Sequence, residues 1–206
     1  MDYFTNIKSN YICQKIFNNL EEKKSLEIVK YNKNVKKRLN ININNYKKFS
    51  EKYSSIEIEI KTVNGEYGKF INIDKENKKY YHIYFNNNEK EIKRNHLNGN
   101  DNIEKIKIII DYQIKSFEYL FIDCFCNESI NFKKFSRNNI NNMSFMFYEC
   151  KSLKELNINN FNTSNVTNMC NMFCYCSSLK ELNLNNFNTN NVTNMISMFY
   201  GCKSLK

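Results

Sequence analysis

The 206-residue sequence contains no proline, no tryptophan and only four glycines. Asn, Lys, Ile, Tyr and Phe are used heavily instead, a bias that AT-rich codons would produce, so part of the composition reflects the genome rather than function. Gly65 and Gly68 are too sparse to form a phosphate-binding loop. Apolar residues still make up 41% of the chain and aromatic residues 15%, which is enough to build a folded core.

Long apolar runs and export signals are also missing. The apolar stretch IKIIIDYQI is too short for a membrane span and contains Asp111. The first residues have neither an unbroken apolar region nor a small-residue cleavage site, as a secretory signal would. Eight cysteines without an export signal predict reduced thiols and a cytoplasmic location. A surface or secreted protein is the alternative if the N-terminus is incomplete.

Residue patterns typical of catalysis, metal binding and nucleic-acid binding are absent from the sequence. Only His82 and His96 are present, and neither accompanies a recognisable nucleophile or paired carboxylates. The cysteines occur as C-x-C, as in Cys174-Tyr175-Cys176, rather than in the C-x-x-C pairs of zinc sites. The net charge of +10 is spread out, which argues against nucleic-acid binding. We therefore predict a protein that is not an enzyme and has no metal or cofactor.

A 26-residue repeat fills the second half of the chain. NMSFMFYECKSLKELNINNFNTSNVT is followed directly by NMCNMFCYCSSLKELNLNNFNTNNVT and then by NMISMFYGCKSLK. So many rare residue types seldom align by chance. The register continues backwards in weaker form, and we place its start near residue 103, with a degenerate first unit as a cap. Because the sequence stops midway through a unit, we expect the array to continue past Lys206.

Each unit combines two hydrophobic periods. Leu156 and Ile158 alternate with polar residues, which predicts a short strand with one buried side. A second group follows the helical spacing i, i+3, i+4 and i+7: Met169, Met172, Phe173 and Cys176. This spacing predicts a short helix. Equivalent strands should stack into a parallel sheet with the helices along the other side, because a single unit cannot bury its own apolar face.

The repeat also accounts for most of the sulfur. One position of the unit is always cysteine: Cys124, Cys150, Cys176 and Cys202. A small apolar side chain at this position would line the core of the stack. We therefore predict buried structural thiols rather than metal or redox chemistry, and the same core role for Met169, Met172 and Phe173. Cys170 and Cys174 lie off this ladder, and their role stays open.

The units resemble the 26-residue repeat of BspA-like leucine-rich-repeat proteins, a family known from bacterial surface proteins and from protists. The residues that match the motif are Leu153, Leu156, Phe161, Thr163, Val166, Thr167, Met169, Met172, Phe173 and Cys176. The resemblance extends over about 103–206. It implies an α/β leucine-rich-repeat solenoid, with short parallel strands and short helices, that recognises proteins or surfaces, often in adhesion.

The outward positions of the predicted strands are the candidate binding surface, since the inward positions are committed to packing. Two units present the same order of acid, amide, amide: Glu155, Asn157 and Asn159, then Glu181, Asn183 and Asn185. A merely solvated surface is the alternative interpretation. We predict a protein–protein recognition module that uses this face, with a protein of unknown identity as its partner.

Residues 1–52 contain two helical patterns. The layout around I-F-x-x-L, over about 7–42, is similar to an F-box, a module that docks on a ubiquitin-ligase scaffold and often precedes leucine-rich repeats. The residues that would face the scaffold adaptor are Ile12, Ile16, Phe17 and Leu20. In a generic helical domain the same residues pack internally. A substrate adaptor of a ubiquitin ligase and a secreted or surface adhesin are the two alternative functions.

The hydrophobic period changes to two within residues 53–102. SIEIEIKTV, GKFINID and YYHIYFN alternate apolar and polar residues, with turn signals between them. We predict a small antiparallel β region that caps the repeats, in which His82 is structural. The expected organisation is a small α+β N-terminal part, helical at 1–52 and β at 53–102, followed by the repeats at 103–206.

Overall fold

The computed structural model describes residues 9–19, 32–39, 55–111, 114–135 and 137–206, and the side chains of residues 13 and 16–19 are not described. The chain divides into two compact units, Met1–Tyr53 and Ser54–Lys206. In the first unit, helix α1 spans Asn10–Asn19 and helix α2 spans Lys33–Arg38. The predicted division into three domains stays a prediction.

Helix α2 begins at a polar cap. The side-chain oxygen of Asn32 accepts a hydrogen bond from the backbone N–H of Val35, at 3.0 Å. This contact satisfies one of the N–H groups that have no partner within the first turn of a helix. Within the described ranges, no helix has both the length and the apolar character needed to cross a bilayer.

The second unit is built on a mixed sheet. Its strands in chain order are β1 (Ile56–Thr62), β2 (Gly68–Lys69), β3 (Tyr81–Phe85), β4 (His96–Leu97), β5 (Lys105–Ile110), β6 (Asn127–Lys134) and β7 (Glu155–Asn157). Five of them form one sheet in the order β3-β5-β1-β6-β7, and β2 pairs with β4 separately. Only β6 and β7 are parallel; the other pairs are antiparallel. A short 3-10 turn, Lys78–Tyr80, precedes β3.

Alternating isoleucines explain the central strands of this sheet. β1 and β5 pair so that buried isoleucines face one another: Ile56 with Ile110, Ile58 with Ile108 and Ile60 with Ile106. β-branched side chains pack well on a pleated surface, and cross-strand pairs of this kind stabilise a sheet. The apolar face that results is the core of the sheet.

The repeats form consecutive turns rather than helices. Two positions in each unit, four residues apart, have a positive φ: Tyr119 and Asp123, Phe145 and Glu149, Asn171 and Tyr175, and Ser197 and Gly201. A right-handed helix cannot contain these left-handed conformations. The chain instead makes successive β-turns, in which the N–H of Met146 donates to the carbonyl of Met143 (3.4 Å) and the N–H of Cys150 to that of Phe147 (3.2 Å).

Backbone hydrogen bonds join each turn segment to the next one. Phe145 N–H donates to the carbonyl of Cys170, and Phe147 N–H to that of Met172, both at 2.9 Å. The same pattern links 117–123 to 142–148 and 169–175 to 194–200. A neighbouring unit therefore provides the partners that a helix would find within itself.

Aromatic rings fill the interior of these repeats. Phe147 stacks on Phe121 with a centroid separation of 5.5 Å and on Phe173 with 5.6 Å. A second column places Phe161 4.4 Å from Phe135 and 6.4 Å from Phe187. The 26-residue period thus recurs as two columns of rings, each one ring per unit.

The predicted α/β leucine-rich-repeat solenoid of short parallel strands and short helices is wrong. In the described part of the repeats after residue 135, β7 is the one named strand, and the segments predicted as helices are turns. The expected fold of an α+β part in front of a solenoid is also wrong. Strand β5, which was predicted to belong to a degenerate repeat, lies between β1 and β3 in the sheet. The sequence pattern failed here because turns and a helix can place the same residues on one side of the chain.

Candidate partner-binding surface

The six predicted partner-binding residues are all exposed. Glu155 and Asn157 belong to β7, at the edge of the sheet. Glu181 and Asn183 follow 26 residues later in a segment without regular secondary structure. Together with Asn159 they line one shallow groove of about 590 Å³. The sixth residue, Asn185, is not among the residues that line it.

Leucine side chains contribute apolar surface to this groove. Leu156 and Leu182 both line it, and both are half-buried against the hydrophobic core. Leu156 is fixed in register by parallel pairing of β7 with β6, opposite Ile130. The groove therefore combines an apolar part with polar walls, which is the usual anatomy of a protein–protein interface.

Two of the predicted asparagines also hold the local backbone. Oδ1 of Asn157 accepts a hydrogen bond from the N–H of Asn159 (3.2 Å), and Oδ1 of Asn183 accepts one from the N–H of Asn185 (3.0 Å). Asparagine commonly stabilises turns in this way. The amide oxygen is thus committed to the turn, and the NH₂ group is the part of each side chain that can donate to a partner.

Three lysines line the same groove and were missed by the sequence analysis: Lys154, Lys180 and Lys206. The available signal was the repeated Lys-Glu pair that opens each strand-like segment. Nζ of Lys154 lies 2.8 Å from Oε1 of Glu128, one unit earlier. With Glu155 and Glu181, the lining carries three positive and two negative charges. This near balance favours a polypeptide of mixed charge over a polyanion such as a nucleic acid.

The predicted cysteine ladder lies inside the repeats. Cys124, Cys150 and Cys176 are fully buried, and Cys202 is half-buried. Each of the last three donates its S–H to the carbonyl of a phenylalanine one unit earlier: Cys150 to Phe121 (3.0 Å), Cys176 to Phe147 (3.1 Å) and Cys202 to Phe173 (3.0 Å). These cysteines satisfy buried backbone carbonyls as well as filling space. Met169, Met172 and Phe173 are fully buried beside them.

Burial also makes these thiols chemically inert. It raises the pKa of the Cys124, Cys150 and Cys176 thiols above their ordinary range, and a protonated thiol is a poor nucleophile and metal ligand. Burial likewise raises the pKa of Cys126 to about 11. In the part of the chain that the structure describes, no group of three His, Cys, Asp or Glu residues could hold a metal ion.

The two cysteines off the ladder differ from each other. Cys170 is half-buried, and its sulfur accepts a hydrogen bond from the side-chain amide of Asn171 at 3.0 Å. Cys174 is buried, which raises the pKa of its thiol. Burial of Cys174 therefore disfavours its thiolate, which is the reactive form.

Three of the four predicted adaptor-binding residues, Ile12, Ile16 and Phe17, belong to α1. Ile12 is on the helix and is 51% exposed. The side chains of Ile16 and Phe17, and all of Leu20, lie outside the described residues. The prediction that these four residues form one docking face therefore stays a prediction.

His82, predicted as structural, lies on β3 between two carboxylates. Its Nδ1 is 3.1 Å from Oε1 of Glu91, and its Nε2 is 3.7 Å from Oδ2 of Asp111. Glu91 in turn contacts Nζ of Lys93 at 2.5 Å, and these contacts lower the pKa of the Glu91 carboxyl. The group is a surface ion-pair network without a nucleophile among its members.

Comparison with known proteins concerns the repeats. Residues 115–206 match the family described as "Mycoplasma protein of unknown function, DUF285". The match spans the turn segments, the groove and the cysteine ladder, and it ends short of the N-terminal strands. No curated protein and no solved structure matches the chain.

Proposed function

We propose that this protein is a non-enzymatic recognition module that binds another protein through the groove of residues 154–159 and 180–183. One observation carries the proposal: five of the six residues predicted from the repeat pattern line a single groove, although they come from two different units. Half-buried leucines beside exposed polar side chains give this groove the composition of an interface.

The family relationship is part of the same proposal. We assign the repeats to BspA-related proteins on the motif of Leu, Phe, Thr, Val, Met and Cys residues that recurs at 26 residues. The DUF285 match over 115–206 supports a relationship carried by the repeat region. Recognition of proteins by such repeats fits a surface that presents the same residues at regular intervals.

The chemistry of the groove indicates the kind of partner. Its amide NH₂ groups and lysines donate hydrogen bonds, its glutamates accept them, and Leu156 and Leu182 offer apolar contact. The groove is shallow, so an extended segment or loop of a partner fits it better than a compact small molecule. The ubiquitin-ligase adaptor, the adhesin and the cytoplasmic location stay predictions.

A random-peptide phage library, selected on the immobilised full chain, tests this proposal. Peptides enriched on the unmodified protein should lose enrichment on the Glu155→Gln/Glu181→Gln variant, because both acceptor charges of the groove are gone. Asn157→Asp/Asn183→Asp gives a second probe, since an aspartate keeps the turn-forming oxygen but replaces the NH₂ donor with a charge.

The matched control is Glu76→Gln/Glu89→Gln, which removes two exposed carboxylates that do not line the groove. This variant should enrich the same peptides as the unmodified protein. If the groove variants and the control all retain the same peptides, the groove is not the binding surface and the proposal fails.

A further inference from the structure

A small cavity lies beside β3, in the part of the sheet farthest in order from β7. It has a volume of about 170 Å³, and Ile73, Ile83 and Ile92 form its apolar wall next to Tyr81. Ile73 and Ile92 are only half-buried. The cavity therefore keeps apolar surface in contact with water, which a ligand would cover favourably.

The charged residues that line this cavity are all cations. Four cations line it, and none of its lining residues is acidic; the cations are Lys75, Lys78, Lys93 and Arg94. Two of them are neutralised by neighbours. Arg94 donates two hydrogen bonds to the carboxylate of Asp101, at 2.5 and 2.8 Å, and Lys93 contacts Glu91.

Lys75 and Lys78 supply the uncompensated charge. Both are exposed, and neither forms an ion pair with any residue in the described ranges. Two acids lie close to them in sequence: Asp74 lines the neighbouring pocket, which shares Tyr81 with this cavity, and Glu76 is exposed, but neither lines the cavity itself. Two lysines without an ion pair that line a partly apolar cavity attract an anion.

Contacts among the lining residues and their neighbours hold the wall of the cavity in place. The guanidinium of Arg94 lies over the ring of Phe85, 5.2 Å from its centroid, a favourable cation–π geometry. The N–H of Ile92 donates to the carbonyl of Ile83 at 2.7 Å, and the side chain of Asn95 donates to the carbonyl of Ile71 at 3.1 Å. The cavity is thus formed before any ligand arrives, which reduces the entropy cost of binding.

We propose that this cavity binds a small organic anion, a compact apolar group that carries one carboxylate or phosphate. The apolar group lies against Ile73, Ile83 and Ile92, and the anionic group meets Lys75 and Lys78. This site is distinct from the groove of residues 154–159 and 180–183, and it does not depend on the function proposed for that groove.

Isothermal titration calorimetry on the full chain tests the inference with four probes: benzoate, phenyl phosphate, benzyl alcohol and inorganic phosphate. Benzoate and phenyl phosphate should bind with a dissociation constant that rises with salt, because exposed charges are screened. Benzyl alcohol lacks the charge and inorganic phosphate lacks the apolar group, so each should bind about tenfold more weakly or worse. The better of the two anions identifies which head group the lysines prefer.

The decisive variant is Lys75→Gln/Lys78→Gln, which should weaken the binding of both aromatic anions by about tenfold or more. Lys61→Gln/Lys203→Gln is the matched control, because it removes the same charge at two exposed lysines that do not line the cavity, and it should bind as the unmodified protein does. Equal affinity of benzoate and benzyl alcohol, unchanged affinity in the Lys75/Lys78 variant, or the absence of binding by both aromatic anions would overturn the proposal.

Discussion

Two regions of the second unit build a core from different residues and on different principles. In the sheet region (residues 55–111 and 127–134), isoleucines at alternate positions pair between strands distant in sequence, as Ile58 does with Ile108. In the turn stack (residues 115–126 and 141–206), Phe, Met and Cys fill the core, and the backbone of one unit bonds to the unit that follows. The core of the sheet depends on the pairing of strands that are distant in sequence. Each layer of the stack depends only on the units directly before and after it.

The largest expected effect of a single substitution is the loss of a ring from the middle of the stack. Phe147 is fully buried between Phe121 and Phe173. Phe147→Ala should lower the free energy of unfolding by about 3–5 kcal/mol, because it removes a large buried side chain and leaves a cavity on both sides. Urea unfolding followed by circular dichroism measures this change.

Phe199→Ala is the matched control for that experiment. Phe199 occupies the same position in the repeat but is 39% exposed, and its ring stacks on Phe173. Its removal should cost clearly less than the removal of Phe147. Equal losses at the two positions would contradict the view that stability in the stack comes from neighbours on both sides.

A second expected effect, specific to the stack, is a loss of stability at alkaline pH. Burial holds the pKa of Cys124, Cys150 and Cys176 above the ordinary value in the folded state, whereas thiols of the unfolded chain ionise near pH ~8.5. Below that pH the stabilisation is fully present. Above it, the unfolded state releases protons that the folded state keeps, so stability falls by up to about 1.4 kcal/mol per pH unit for each thiol.

Urea unfolding between about pH 8 and about pH 9.5 checks this slope. Cys150→Ala should lower the free energy of unfolding at about pH 8, since a buried side chain is truncated and the carbonyl of Phe121 keeps only the N–H of Cys124 as a donor. The same variant should also show a shallower fall with pH, because one titrating thiol is gone. A slope equal to that of the unmodified protein would rule out the buried thiol as its source.

The smallest expected effect is a difference in the loss of stability between two glycine substitutions, one in each region. Gly201 in the stack has φ +75°, and a Cβ added there would lie 2.5 Å from Cδ1 of Tyr175; Gly65 in the sheet region has φ +79° and open space around it. Gly65→Ala should cost about 1 kcal/mol for the backbone conformation alone. Gly201→Ala should cost about 1–2 kcal/mol more, because the tyrosine ring must move. Thermal unfolding of the two variants measures the difference. Equal losses of stability would show that the ring of Tyr175 can move aside without cost.

The 26-residue register could be predicted from the sequence because rare residue types mark it, but the path of the chain within each unit could not. Met169, Met172, Phe173 and Cys176 share one side whether the chain winds as a helix or as turns. The deciding quantity is the positive φ at Asn171 and Tyr175. Asparagine is common in that conformation but tyrosine is not, so the residue types gave little warning.

The candidate groove could be predicted only in part, from the alternation of apolar and polar residues. Alternation correctly marked Glu155 and Glu181 as exposed positions, since a strand-like segment has two sides. That Asn157 and Asn183 each hold a turn depends on local geometry, which a period of two does not encode. The cavity at Lys75 and Lys78 joins residues from separate segments around β3, so no local pattern could show it.

The hydrogen bonds between turn segments give every layer two unlike but complementary faces. Alternate N–H groups of one segment donate to carbonyls 25 residues further on, as in the bond from Phe173 to Met198. A tandem duplication of one 26-residue unit would therefore insert a layer whose two contacts already exist, and it would lengthen the outer groove by one step. An insertion of any other length would move the buried Phe, Met and Cys positions out of register with those of the neighbouring unit. We therefore expect this part of the gene to gain or lose length in whole units, because the register between units, rather than any single side chain, sets the allowed lengths.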